Sequence, residues 1–341
     1  MHAGDVASQL CCPRAIDWAG AAFPLRKRPY ISNRAVLALS THSMNYSNAS
    51  RLPASLGSLL GLVVAGCVSL TDNDQLIARS GDQIVRTENA ACADGWPRFP
   101  VDPAPGTALG PADFSLMTWN VFKGQSPDWP QDYARLARDQ DIVLLQEAHL
   151  TPTFSGLLER TGHRWYMVRA FDYNGAESGV LTAGRIPASG ACLVRLAEPL
   201  IRIPKSGLLT RFPIDGSGRA LWIVNLHGIN FAPGAGPLRG QLEAWAELLA
   251  DHAGPLVLAG DFNDWSESRS EALTAITERL GLTPVRLARD DRSRYFGRPV
   301  DHVFYRGLEV VHADSVAVTS SDHNPVRVRF RLPGSLLEPR Q

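Results

Sequence analysis

Between Leu256 and Trp265 the chain reads LVLAGDFNDW, a short apolar run interrupted by Gly260 and followed at once by Asp261, Asn263 and Asp264. Leu256–Leu258 has the residue types of a buried strand. The polar residues after it sit where the chain leaves the sheet. A carboxylate and an amide separated by one residue at a strand's carboxyl end can converge on a single reacting centre. A polar turn follows many strands, so the stretch gains its meaning from four other places where apolar strands meet polar clusters.

Taken in order, FSLMTWN (114–120) closes on Asn120, and Lys123 follows. In DIVLLQEAHL the apolar run Ile142–Leu145 closes on Gln146 and Glu147. A carboxylate placed directly after four apolar residues is costly to bury without a partner or a cation. Mg²⁺ takes oxygen ligands and few protein carboxylates, which makes Glu147 the first metal-ligand candidate. RWYMVRAF and SGVLTAG read as two strands joined by DYNGAE, and GLLTRFPI and ALWIVNLHGIN as an antiparallel pair around DGSG. The latter ends on Asn225 and His227. Helices are expected over 128–137, over Gly240–Ala250 and near Ser266–Leu280. Asp301 opens the strand DHVFY, and Asp322 and His323 stand just before Pro325 and a last strand. Arg286, Arg289, Arg292, Arg294 and Arg298 face only Asp290 and Asp291 in the preceding loop. Such a run suits a solvated loop, or a dock for an anionic substrate beside a phosphate-handling site.

With 45% apolar and 20% charged residues in 341, the chain has the composition of a soluble globular protein. Its 34 basic and 34 acidic side chains give no global positive field of the kind that draws proteins onto nucleic acid. The five cysteines fit no zinc spacing. Residues 1–43 read as disordered or as lying upstream of the true start. From Met44 to Cys67 the chain carries Arg51, an apolar stretch from Leu56 to Ala65, and Val64-Ala65-Gly66-Cys67. That stretch is too short to span a bilayer, which takes ~20 apolar residues, but has the dimensions of a signal-peptide core. The tetrapeptide resembles a bacterial lipobox, so Cys67 is the expected lipid anchor and the cell envelope the expected location if Met44 is the start. A start at Met1 implies a cytoplasmic protein. Residues 68–113, polar and then rich in Pro, Gly and Ala, read as a linker, with Cys92 a candidate partner for Cys192 in an oxidising compartment. A domain is then expected over 114–333.

The ordered set TWN, LLQE, NLH, GDFN, VDHVF and SDHNP resembles the endonuclease/exonuclease/phosphatase superfamily, which includes deoxyribonuclease I, abasic-site endonucleases, neutral sphingomyelinases and inositol-phosphate phosphatases. FGRPVDHVFYRGL and SGVLTAG are similar to a group of bacterial members whose substrate is not established. The resemblance implies an α/β fold, a four-layer sandwich of two mixed β-sheets flanked by helices (deoxyribonuclease I-like). It implies Glu147 and Asn120, with Asp322, as ligands for Mg²⁺ or Mn²⁺. Asp261 and Asn263 would position or deprotonate the attacking water. His323, oriented by Asp301, and His227, which would contact phosphoryl oxygens or protonate the leaving group, complete the catalytic set. Asn225, Arg294 and Arg298 are expected as substrate contacts.

The activity implied is in-line hydrolysis of a phosphoester by a monomer, with a phosphodiesterase or nuclease first and a phospholipid or phosphomonoester hydrolase as the alternative. From a different class, a catalytically weak envelope-associated binding module has the same motifs to explain. Loops, not the fold, decide among these substrates.

Overall fold

Alternation with period two places polar residues on the inner faces of the strands that carry the motifs. Leu116, Ile142, Leu144, Ile223, Val257, Ala259 and Val303 share one buried core, while Met117, Val143, Leu145, Val224, Leu226, Leu256 and Leu258 pack on the opposite faces. The same parity carries Asn120, Gln146, Asn225, His227, Asp261 and Asp301 inward. A computed structural model describes residues 67–80, 83–92 and 108–338. Segments 1–43 and 44–66, whose readings rest on sequence, lie outside the described residues.

In chain order the elements begin with β1 (Val68–Ser80), β2 (Gln83–Thr87), β3 (Phe114–Asn120), α1 (Trp129–Ala137), β4 (Ile142–His149) and α2 (Pro152–Arg160). Next come β5 (Arg164–Tyr173), β6 (Ala176–Gly184), β7 (Gly190–Ala197), β8 (Pro204–Pro213), β9 (Ala220–His227), α3 (Gly236–Leu249) and β10 (Leu256–Asp261). The remainder comprises α4 (Glu267–Arg279), β11 (Thr283–Pro284), β12 (Arg294–Tyr295), β13 (Arg298–Pro299), β14 (Asp301–Arg306), β15 (Glu309–Ser315), β16 (Val326–Arg331) and α5 (Gly334–Leu337).

Among the described residues, an eight-stranded sheet runs β15-β16-β3-β4-β6-β5-β1-β2 and a six-stranded sheet β11-β14-β10-β9-β8-β7. Both are mixed: β3 and β4 are parallel, as are β9 and β10, and the other pairings are antiparallel. The sheets face each other across the inner core. Helices α1 and α2 cover the first sheet with Trp129, Tyr133, Phe154 and Leu157, and α3 and α4 cover the second with Leu242, Trp245, Leu273 and Ile276. This is the four-layer sandwich that the motif order implies. The helix expected from Gly240 begins earlier, at Gly236, because Pro237 fits a first turn where no backbone N–H is needed.

The segment 68–113 is not simply a linker. Strand β1 pairs antiparallel with β5 and buries Leu76, Ile77 and Ala78 on both faces, and β2 extends the sheet beyond it. The polar run Thr71–Asp74, which suggested a tether, falls where the β1–β5 register shifts between Leu70 and Gln75. A β-bulge accepts such residues without burying them. Ala91 then pairs with Leu193 of β7, and a disulfide joins Cys92 to Cys192. The folded domain therefore begins at Val68, well before Phe114.

Candidate active site

Strand directions bring the motif residues to one rim. There β3, β4, β9 and β10 end, while β14 begins. The loop carrying His323 leads into β16 at the same end. Asp261 and His227 are register partners across β9 and β10, and Asp261 and Asp301 across β10 and β14.

Asp261 is almost fully buried and tightly held. Asn120 Nδ2 donates to its Oδ2 at 3.0 Å from the opposite sheet, and the Asn263 backbone N–H donates to its Oδ1 at 3.0 Å. Asn263 sits at a left-handed φ of 50°, and its side-chain amide donates to Gly228 O at 3.0 Å. Gly260, just before Asp261, has a φ of +141°, and a Cβ there would stand 2.0 Å from the backbone oxygen of Leu226. No other residue fits so close to the neighbouring strand.

Parity alone would point Glu147 outward, with Val143 and Leu145. The β4–β6 register shifts between Leu145 and Ala148, and Glu147 takes a φ of 52°. This bulge re-aims the carboxylate into the rim, at a conformational cost of ~1 kcal/mol or more. Burial would raise its pKa, but Lys123 and Lys205 hold it well below the usual carboxylate range. Lys123 is its direct ion-pair partner.

His323 Nδ1 lies 2.8 Å from Asp301 Oδ2, and its Nε2 lies 3.9 Å from Asp261 Oδ2 and 3.3 Å from the Tyr295 hydroxyl. The buried Trp119 indole N–H fixes the loop by donating to His323 O at 2.9 Å. Burial works against the imidazolium, yet Asp301 and Asp261 push His323 up to about 10. Asp261 is raised as well, to about 6, through burial and the nearby Asp301 charge, partly offset by His323. His227 Nε2 stands 3.6 Å from Asp261 Oδ2 and 3.9 Å from Glu147 Oε1. Lys205 Nζ reaches the same nitrogen at 2.6 Å. Burial and that lysine press His227 well below its ordinary value, which leaves a neutral ring accepting from Lys205.

Among the described residues, Asp261, Asp301 and His323 bring ligand atoms within 4.8 Å of one another. Within that trio Asp301 and His323 are joined directly by their hydrogen bond. Glu147 and Asn120 supply oxygen donors beside it. Asp322, expected as a third metal ligand, is exposed and lies 3.3 Å from the Tyr295 hydroxyl.

Three expected substrate contacts stand differently. Asn225 is fully buried: its amide donates to Leu145 O (3.2 Å) and Leu181 O (2.9 Å), and its oxygen accepts from Gln146 Nε2 at 2.7 Å. It clips the two sheets together and has nothing left for a substrate, because its position two residues before His227 puts it one inward layer deeper. Arg294 pairs with Asp290, which also takes Arg292, while Arg289 pairs with Asp291. Arg298 lines a hollow with Glu267, Glu271 and Glu278. Sequence reasoning passed over Lys205 and Tyr295. Lys205 sits opposite Gly228 by extension of the β8–β9 register, so pairing that hairpin on paper places a lysine next to His227. Nothing in the sequence marks Tyr295.

Comparisons with known proteins bear on the family and the fold. A UPF0294 protein of Vibrio cholerae is 39% identical over 221 residues, covering 64% of this chain and 78% of its own. One from Yersinia enterocolitica is 41% identical over 228 residues, covering 67% and 87%. Among solved structures, an endonuclease/exonuclease/phosphatase from Beutenbergia cavernae is similar in fold (TM-score 0.50, 22% identity, 65% of this chain and 72% of that one). So is the human Nocturnin catalytic domain with bound sulfate (TM-score 0.52, 17% identity, 66% and 96%). The model of the Endonuclease/Exonuclease/phosphatase family matches residues 117–323, the span that holds every motif residue described above, and the chain belongs to that family.

Proposed function

We propose that the protein hydrolyses a phosphodiester by in-line attack of a water held at Asp261, with a divalent cation at Glu147. The reading rests on the convergence, at one buried centre, of a carboxylate poised near neutrality and an imidazolium fixed by Asp301. Groups whose environments push their pKa values apart divide naturally into base and cation. Asp261, with two donors fixing its oxygens, takes the proton of the attacking water, and Asn263 keeps the carboxylate from turning. His323 and Lys205 present positive charge to the phosphoryl oxygens, where charge builds in the transition state. His227, already accepting from Lys205, orients that ammonium, so the donor's task first read for the histidine passes to the lysine.

Glu147 and Asn120 would each offer an oxygen, the donor type that suits a hard cation such as Mg²⁺ or Mn²⁺, with the Asn120 oxygen also accepting from the Phe122 N–H at 3.1 Å. Glu147 also needs a cation, a demand now met by Lys123. When bound, the metal supplies Lewis-acid neutralisation of the phosphate. The test is hydrolysis of bis-p-nitrophenyl phosphate by the full chain with Mg²⁺ or Mn²⁺, beside Glu147→Gln. Metal-dependent turnover that falls by roughly 10²-fold or more in the variant supports the reading. Equal turnover in both proteins, or turnover indifferent to chelation, sinks it.

A further inference from the structure

The rim that carries the catalytic cluster also carries the two most exposed large apolar side chains among the described residues, Leu200 at 68% and Phe296 at 70%. They sit on different turns. Leu200 lies between β7 and β8, whose rim ends are paired as Ala197 and Pro204. Phe296 lies at the tip of the β12–β13 hairpin that leads into Asp301. The two turns are tied together, since Glu198 accepts from the Asn230 N–H, Asn230 accepts from the Trp265 indole, and the Trp265 ring lies 5.6 Å from that of Phe296.

Phe296 is held in water against its own preference. Phe296 and Gly297 have φ of 51° and 81°, the signature of a two-residue turn with both centres left-handed. Such turns favour Asn-Gly or Asp-Gly, and a bulky residue there is strained. Each turn also carries an arginine two residues from the apolar tip: Arg202, exposed, and Arg294, half exposed and paired with Asp290.

The chain enters the domain at this same rim. Exposed Cys67 precedes β1, whose Val68 pairs with Tyr173 at the rim end of β5. The Lys123 ammonium lies 5.7 Å from the Tyr173 ring centroid and binds Glu147. Val68, where the domain begins, therefore lies at the end that carries the catalytic centre and not at the far end, where Ile84 and Ser80 lie.

We propose that this rim is a membrane-docking surface: Leu200 and Phe296 pass the headgroups of an anionic bilayer into the top of the acyl region, and the catalytic centre faces the lipid phosphates. Apolar tips with flanking arginines match an interface that is greasy inside and negative at its surface. A lipid on Cys67, as its sequence context suggests, would tether the domain by the same face. The substrate class that follows is a phosphoester at the bilayer surface, and that part alone rests on the phosphoesterase reading.

The experiment uses the full chain carrying Cys67→Ser, so that no acyl group is attached, and vesicles of phosphatidylethanolamine and phosphatidylglycerol with brominated acyl chains. Tryptophan is introduced by Leu200→Trp, Phe296→Trp or, at the opposite end, Ile84→Trp, and the parent emission is subtracted. Bromine quenches only what reaches the acyl region. The result expected is that the added emission at positions 200 and 296 falls by about half and that at 84 is unchanged. No vesicle binding, equal quenching at all three positions, or bound protein with an unquenched rim would each overturn the proposal. Rim-dependent capture of an oligonucleotide without vesicle binding would also overturn it. Repeating the measurement with His323→Ala separates the two claims, since docking should persist when hydrolysis is lost.

Discussion

Asp301→Asn keeps the shape of the side chain and removes its charge from beside His323. The imidazole is buried, and burial alone lowers its pKa; Asp301, 2.8 Å from Nδ1, contributes the largest opposing effect, followed by Asp261. The rise to about 10 from the ordinary 6.5 corresponds to roughly 5 kcal/mol of preference for the imidazolium. With Asp301 neutral the largest opposing effect is gone, and we expect burial, set against Asp261 and Asp322, to bring His323 back to about its ordinary value. At about pH 8 the imidazolium then falls from nearly complete to a few per cent, a loss of ~30- to 100-fold. A mis-set tautomer brings the total to ~10²–10⁴-fold. The sign is definite: wild-type activity rises as Asp261 loses its proton through about pH 6 and falls as His323 loses its own through about pH 10. In the variant the alkaline limb moves down to near neutrality. The assay is the pH profile of kcat/KM on bis-p-nitrophenyl phosphate, paired with an NMR titration of the His323 ring. An alkaline limb that stays in place, or turnover within about threefold of wild type at pH 8, refutes the reasoning.

Asn225→Ala removes the clip between the sheets and leaves Leu145 O and Leu181 O without that donor, so stability falls by roughly 2–4 kcal/mol. Urea denaturation checks this, and a large KM change with unaltered stability would restore Asn225 as a substrate contact. Gly260→Ala drives a Cβ to 2.0 Å from Leu226 O, and the strands must part. We expect a loss of more than ~3 kcal/mol with a Tm lower by about 10 °C, and a drop below ~1 kcal/mol contradicts the close approach. Replacing Cys92 and Cys192 by serine and alanine opens a loop spanning a sequence separation of 100, so stability falls by ~3–5 kcal/mol. Urea denaturation of the variant beside the oxidised parent checks this, and an unchanged midpoint contradicts it.

Much of the site was legible because it obeys a local rule. Side chains alternate along a strand, and a polar residue that ends an apolar run on the inward parity has few places to go but the rim. Asn120, His227, Asp261 and Asp301 follow that rule, and their order along the chain resembled the family whose model matches residues 117–323. Composition misled between 68 and 92, where a polar bulge inside β1 looked like a tether. Periodicity could not show that Glu147 breaks its own parity, since a bulge depends on the register with β6. Nor could it show that Asn225, one layer below His227, is consumed by Gln146 and two carbonyls.

The sequence by itself determined the layers, the motif strands and which polar residues end them, because each depends on neighbours within a few positions. Only the tertiary structure decided what those residues meet: Lys205 on His227, Tyr295 on His323, paired carboxylates beneath the loop arginines, and a shared rim for Val68, Leu200 and Phe296. These are contacts between segments far apart in the chain, and their energies depend on distance and burial that no local pattern encodes.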